Sequence, residues 1–144
     1  MATISIQGTE LHYDENDVIV FPEGLIGLPH LKRMVLIRQS FIEPFMWLAS
    51  LDQDEVAFVV IETKSLFAGF APSVPADSNF ANVLSDGETP LVLSIVLINS
   101  EWRDCTVNLR APIFISSQSM SGAQVILADN TYSVSEPLPL AMAA

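Results

Sequence analysis

Basic residues and cysteines are scarce in this sequence. Six lysine and arginine residues stand against seventeen aspartate and glutamate residues, so the formal net charge is −11. Phosphate binding depends on clustered basic side chains, and this balance therefore predicts no direct binding of RNA or DNA. The single Cys105 excludes an intramolecular disulfide framework and predicts a reduced thiol.

Long apolar runs and a secretory leader are also lacking. The longest mainly apolar stretch, residues 91 to 98, is far shorter than the ~20 residues that a membrane helix needs. The first residues do not combine a charged region with an apolar one, as a signal peptide would. We therefore expect a cytoplasmic protein that does not bind membranes.

Apolar residues, by contrast, are abundant. They make up 50% of the chain, while charged residues make up 16%, against about 25% in a typical soluble domain. A chain of 144 residues is long enough for one domain that buries roughly 68 to 70% of its unfolded surface. Part of the apolar surplus is expected outside the core, as an interaction surface.

Short runs of strand length recur along the chain, separated by turn-forming residues. They lie at residues 4–6, 18–21, 34–37, 45–48, 56–61, 91–98, 106–109, 113–115, 125–127 and 132–134. This spacing is typical of an all-β sandwich or barrel. A helical turn is expected only at residues 77 to 84, capped by Asp77 or Ser78. Residues 1 to 134 would form the domain, and residues 135 to 144, with Pro137 and Pro139, a flexible tail.

Residues that could support catalysis or bind metal are scattered. His12 and His30 lie in different segments and lack the spacing of a zinc site. Residues 52 to 55 resemble the start of a calcium loop, but Ala57 and Thr63 occupy the positions of its glycine and glutamate. No nucleophile elbow of the G-x-S-x-G type occurs. The sequence predicts no enzyme, no cofactor and no metal.

Asn108 and Pro112 stand out within the apolar segment from residue 106 to 115. Asparagine is a poor strand residue, and proline is confined to edges, bulges and strand starts. If Asn108 is buried, its amide must be satisfied, and we expect it to bridge backbone groups where Pro112 cannot donate. A structural role is favoured for both residues, and a binding role of Asn108 stays open.

This segment, together with residues 124 to 127 and Tyr132, resembles the flagellar assembly factor family known as FliW. The family pattern also appears at residues 20–28, 44–50 and 56–60, in the family's order. The resemblance extends from about residue 3 to about residue 134 and implies a closed or nearly closed β-barrel-like fold with at most one or two helical turns. The chain departs from the family pattern at residues 65 to 82.

The resemblance implies a non-enzymatic protein that binds a small dimeric translational regulator of the CsrA type and also binds flagellin. Candidate partner-binding residues are two groups of carboxylates, which are competing locations for a basic partner, and three aromatic residues. They are Glu10, Asp14, Glu15 and Asp17; Asp52, Asp54 and Glu55; and Phe67, Phe70 and Trp102. Two alternatives stay open: a flagellin-binding chaperone that ignores the regulator, and a small β-barrel enzyme or ligand-binding protein.

Overall fold

The computed structural model describes residues 2 to 128 and 131 to 139. The strands in these residues are β1 Ala2–Ile6, β2 Thr9–Tyr13, β3 Ile19–Val20, β4 Arg33–Arg38, β5 Phe45–Ser50, β6 Ala57–Glu62, β7 Leu91–Leu97, β8 Thr106–Val107, β9 Ile113–Ser116, β10 Ser121–Gln124 and β11 Glu136–Pro137. Short 3₁₀ turns lie at Glu15–Asp17, Ser40–Ile42, Thr63–Ser65, Asn79–Val83 and Trp102–Asp104.

Seven of the strands close into a barrel. Strands β3 to β7 follow one another as antiparallel neighbours. Strand β9 then pairs with both β7 and β10, and β10 closes the ring by a parallel pairing with β3 through Ser121 and Val20. The predicted all-β, barrel-like fold is confirmed. The described 3₁₀ turns outnumber the one or two that were expected, because short loops between strands adopt them.

The two faces of β4 and β5 are both covered, which explains their unbroken apolar sequences. Met34 and Leu48 point into the barrel, where they join the interior core around Phe21. Their neighbours Val35 and Ala49 point outward. Because side chains alternate across a strand, each strand contributes to two separate apolar layers.

The outer layer is covered by the hairpin of β1 and β2. Gln7 and Gly8, with φ angles of 51° and 79°, form its two-residue turn. Ile4, Ile6 and Leu11 pack against the outward-facing side chains of β4 and β5. The hairpin is a separate two-stranded sheet that lies on the barrel wall.

A third apolar layer covers the outside of β6 and β7. It contains Ile61, Val96 and Val107, together with Phe70, which contacts Tyr132 edge to face at 4.8 Å between ring centroids. The strand expected at residues 132 to 134 is absent, and this predicted strand was wrong. Tyr132 instead packs against Phe70 as part of this layer.

The predicted strand at residues 125 to 127 was also wrong, because β10 ends at Gln124. Beyond it, the Val125 N–H donates to the Pro112 carbonyl at 3.0 Å, and the Leu127 N–H donates to the Arg110 carbonyl at 2.8 Å. These bonds tie the segment to an irregular loop. Strand β10 itself lies between the runs predicted at residues 113–115 and 125–127.

The beginning of the predicted tail forms part of the sheet. Glu136 pairs with Val107, and Pro137 pairs with Thr106. Proline is tolerated there because β11 is an edge strand. The domain boundary at residue 134 stays a prediction, and residues 140 to 144 lie outside the described residues.

Candidate functional site

The N-terminal carboxylates lie on β2 and in the turn that follows it. Glu10 is on the exposed side of β2. Asp14 caps the next 3₁₀ turn by accepting the Asn16 N–H at 2.8 Å. Glu15 and Asp17 are exposed members of that turn. All four carboxylates are therefore exposed, either on β2 or in the turn that follows it.

The hairpin also brings the second group of carboxylates next to the first. Glu10 pairs across the hairpin with Ser5, and the Ser5 hydroxyl donates to Glu55 Oε1 at 2.7 Å. Glu10 and Asp54 line one open groove, with Arg33 beside them. Glu10 of the first group and Asp54 of the second therefore face the same groove. The name acidic face is used below for the exposed carboxylates of Glu10, Asp14, Glu15, Asp17 and Asp54; Asp52 and Glu55 are also exposed but bond to neighbouring residues.

Asp52 is committed to internal partners. Its carboxylate accepts the backbone N–H groups of Lys32 and Arg33 at 2.8 and 2.7 Å and forms an ion pair with the Arg33 guanidinium at 3.1 Å. Desolvation raises the pKa of Asp52, but the hydrogen bonds and the charge of Arg33 outweigh it and hold the pKa below its ordinary value. Asp52 therefore fixes the start of β4 to the end of β5.

Glu55 fastens the hairpin tip to the barrel. It lies in the turn between β5 and β6 with a φ angle of 65°. The Ser5 hydroxyl, then the backbone N–H groups of Gln7 and Gly8, hydrogen-bond to its carboxylate and lower its pKa. Sequence reasoning could not separate this role from that of Asp54, because the partners of Glu55 are about fifty residues away in the chain.

Glu55→Gln should loosen the hairpin at neutral pH. The folded-state pKa of Glu55 is below its ordinary value of 4.5, so its stabilisation is present above that value and is lost as pH falls through the folded pKa. Amide hydrogen exchange of residues 2 to 13 should be faster in the variant at pH 7 and should converge with the wild type in acid. Glu10→Gln is the matched control, and equal protection of all three proteins at pH 7 would disprove the role.

The aromatic candidates do not form one exposed surface. Phe70 is only 3% exposed and belongs to the outer core, so a partner cannot contact it in this conformation. Phe67 is half-buried in the same layer, and the Trp102 side chain lies outside the described residues. The exposed large apolar side chains are instead Val20, Ile26, Phe41, Val83, Leu97, Ile98, Ile126 and Val134.

One of these exposed residues, Val83, lines an apolar cleft beside the barrel seam. The cleft has a volume of about 160 Å³ and is lined by Phe80 and Val83 on one side and Gly122 and Ala123 on the other. Phe80 stacks on Phe114, with ring centroids 6.2 Å apart. Sequence reasoning missed the cleft, although the expected helical turn near residue 80 supplies one of its walls.

Asn108 has the geometry of a structural amide. It follows directly after β8, and its Oδ1 accepts the N–H groups of Arg110 at 3.2 Å and Ala111 at 3.0 Å. Its own N–H donates to the Ile95 carbonyl at 2.9 Å. The buried Pro112 follows, so the amide holds the turn that leads into β9.

Asn108→Ala should lower the free energy of unfolding by about 1 to 3 kcal/mol, because two backbone donors lose their acceptor. Urea unfolding followed by tryptophan fluorescence measures the effect. Asn108→Asp, which keeps an acceptor oxygen, is the control and should lose less. An unchanged melting temperature combined with abolished partner binding would assign Asn108 to the interface instead.

Within residues 2–128 and 131–139, no group of three or more His, Cys, Asp and Glu side chains could hold a metal ion. No helix among these residues has the length and apolar character needed to span a bilayer. The absence of a metal, a cofactor and a catalytic activity remains a prediction.

The fold and the site define a class of protein: a small closed β-barrel that carries an acidic hairpin on its outer wall. The chain belongs to the FliW family, because the family model described as FliW protein matches residues 4–138.

Individual relatives match over nearly the whole chain. This chain is 36% identical to the flagellar assembly factor FliW of Carboxydothermus hydrogenoformans, over 91% of its own length and 84% of the relative. It is 32% identical to the flagellar assembly factor FliW of Clostridium beijerinckii, over 96% of this chain and 98% of the relative. A solved structure described as the crystal structure of the flagellar assembly factor FliW superposes with a TM-score of 0.84 at 26% identity, covering 96% of this chain and 98% of that one.

Proposed function

We propose that this protein is a cytoplasmic flagellar assembly factor that binds a CsrA-type translational regulator and also binds flagellin. Free flagellin occupies the factor and leaves the regulator able to repress flagellin translation. Secretion of flagellin reverses the switch. Membership of a family whose relatives are flagellar assembly factors supports the assembly role.

The acidic face is the observation that carries the regulator-binding part of the proposal. Glu10 and Asp54 share one groove, and the chain has a net charge of −11. Such a surface attracts a basic RNA-binding protein and raises its association rate. Once docked beside the RNA groove, the carboxylates repel phosphate without filling the groove, so the antagonism is electrostatic or allosteric.

Flagellin binding is supported by apolar surface outside the acidic face. Val83 at the cleft is 39% exposed, and Leu97 at the end of β7 is 62% exposed. Burial of such side chains by a partner is favourable at roughly 25 cal/mol per Å². Phe67 and Phe70 contribute to this surface only through their support of the outer core.

A flagellin chaperone that ignores the regulator is the second candidate. The departure from the family pattern at residues 65 to 82 bears on it, because a changed segment can lose one of two interfaces. This segment supplies Phe70 to the outer core and Phe80 to the cleft. A ligand-binding barrel is favoured less, because the apolar cleft of about 160 Å³ is smaller than the roughly 300 to 1,000 Å³ of typical ligand sites. A larger groove of about 530 Å³ at Ala2 and residues 14 to 16 is open and mostly polar, unlike such sites.

Charge reversal tests the proposed regulator contact. Glu10→Lys, Asp14→Lys and Asp54→Lys together should weaken binding of the regulator from the same cell by about 10- to 100-fold at low salt. Wild-type association should slow as salt shortens the Debye length below ~10 Å. Isothermal titration and stopped-flow mixing measure the two effects, and added flagellin should release the regulator from the wild-type complex.

A matched triple variant separates the face from the overall charge. Glu43, Glu62 and Asp86 are exposed carboxylates on other surfaces, and their reversal to lysine changes the net charge equally. This control should bind nearly as the wild type does. An equal loss of regulator affinity in both triple variants would show that the acidic face is not the binding surface. If the wild type does not bind the regulator at low salt, the chaperone function replaces the proposed one.

A further inference from the structure

Within residues 2–128 and 131–139, no further strand pairs with either edge of the hairpin of β1 and β2. Strands β3 to β7, β9 and β10 have neighbours on both sides through ring closure, whereas the hairpin is a two-stranded sheet of its own. An edge strand presents backbone donors and acceptors that can pair with a further strand. The hairpin thus offers a template that the closed barrel does not.

The register identifies which backbone groups point outward. Ile6 and Thr9 flank the two-residue turn, and such flanking residues exchange both backbone hydrogen bonds. Hydrogen-bonded pairs then alternate along the ladder, so the N–H and C=O groups of Glu10 and His12 point away from β1. Outside the β1–β2 ladder, no hydrogen bond within residues 2–128 and 131–139 reaches the backbone of either residue.

The charge distribution distinguishes the two edges of the hairpin. Strand β1 reads Ala-Thr-Ile-Ser-Ile and has no ionisable side chain. Strand β2 carries Glu10 on its exposed side and leads directly into Asp14, Glu15 and Asp17. The edge of β2 therefore combines outward backbone groups with carboxylates that complement a basic chain, whereas the carboxylate beside β1, Glu55, is already bonded to Ser5.

We propose that β2 accepts an antiparallel strand from its partner, with basic side chains at every second residue. Residues of the added strand that lie opposite Glu10 and His12 place their side chains on the same exposed face of the sheet. Lysine or arginine is favoured at these positions. Residues opposite Leu11 face the barrel, where the hairpin packs on apolar side chains, which favours valine or isoleucine. This docking mode rests on the proposed function for the identity of the partner, and it defines the contact as strand addition.

Synthetic peptides test strand addition directly. The probe is a capped nine-residue peptide of alternating valine and lysine, and its binding is measured by fluorescence anisotropy at low salt. N-methylation of the backbone nitrogens of the lysines, which would face β2, should weaken binding at least tenfold. N-methylation of the backbone nitrogens of the valines, which would face away from β2, should have little effect. Failure of the parent peptide to bind, or equal affinity of the two methylated forms, would overturn the proposal.

Proline variants test the same edge on the protein. Thr3 and His12 are direct cross-strand partners, and both N–H groups point outward, so neither substitution breaks a bond within the hairpin. His12→Pro should weaken binding of the peptide and of the regulator at least tenfold, whereas Thr3→Pro and His12→Thr should not. Amide exchange of residues 2 to 13 confirms that the hairpin is retained.

The outcomes separate this inference from the proposed function. Regulator binding that His12→Pro leaves unchanged would overturn strand addition at β2 while the proposed function stands. If Thr3→Pro weakens binding and His12→Pro does not, the assignment to β2 is likewise overturned. Edge-dependent peptide binding without any regulator binding would support the inference and contradict the proposed function.

Discussion

Gly24→Ala is expected to destabilise the protein by about 2 to 5 kcal/mol, through backbone strain and overpacking together. Gly24 has a φ angle of 66°, and a Cβ atom there would lie 2.5 Å from the Leu28 carbonyl oxygen and 2.6 Å from Pro29 Cα. Both contacts are with backbone, which cannot rotate away as a side chain can. The loop between β3 and β4 would have to shift, and with it the buried Leu25 and Leu31.

Gly27 in the same loop supplies the control. Its φ angle is 79°, but a Cβ atom there would have no neighbour within 4 Å. Gly27→Ala should therefore cost only the backbone strain, about 1 to 2 kcal/mol. Urea unfolding of the two variants measures the difference, and equal losses would show that the close backbone approach at Gly24 has no energetic effect.

Gly122→Ala is the second variant expected to have a large effect. A Cβ atom at Gly122 would lie 2.6 Å from Cζ of Phe21, a ring that is fully buried in the barrel. Because the interior is closely packed, we expect a loss of about 1 to 3 kcal/mol from overpacking. The variant also strains the place where β10 meets β3.

Phe21→Leu tests this explanation, because the shorter side chain makes room for the new methyl group. The double variant should be more stable than the sum of the two single losses predicts, by an amount that a double-mutant cycle of unfolding free energies reports. Additive losses would mean that the effect of Gly122→Ala arises elsewhere in β10.

The fold could be predicted largely because turn-forming residues alternate with apolar runs. Strands buried on both faces, such as β4 and β5, are continuous apolar runs that are hard to miss. Strand β2 was missed because Glu10 and His12 interrupt it with polar side chains on its exposed side. Strand β10 was missed because packing near Phe21 selects the small Gly122, which sequence patterns associate with turns.

The site could be predicted only in part. The individual carboxylates are visible in the sequence, but the contact of Ser5 with Glu55 depends on how the hairpin docks on the barrel. The same docking separates Asp54, on the acidic face, from Asp52, which is held by Arg33. Phe70 and Val83 could not be told apart either, because only tertiary packing decides which one is buried.

Ring closure has a consequence for the order of folding. Strands β3 to β7 pair with their neighbours in sequence, whereas the ring is completed by Val20 and Ser121 from nearly opposite ends of the chain. Bringing such distant residues together costs loop-closure entropy before their contact gives any stabilisation, and contacts of this kind slow folding. We therefore expect the meander to assemble first and the seam to close last, so that a nascent chain exposes the edges of β3 and β7 until β9 and β10 arrive.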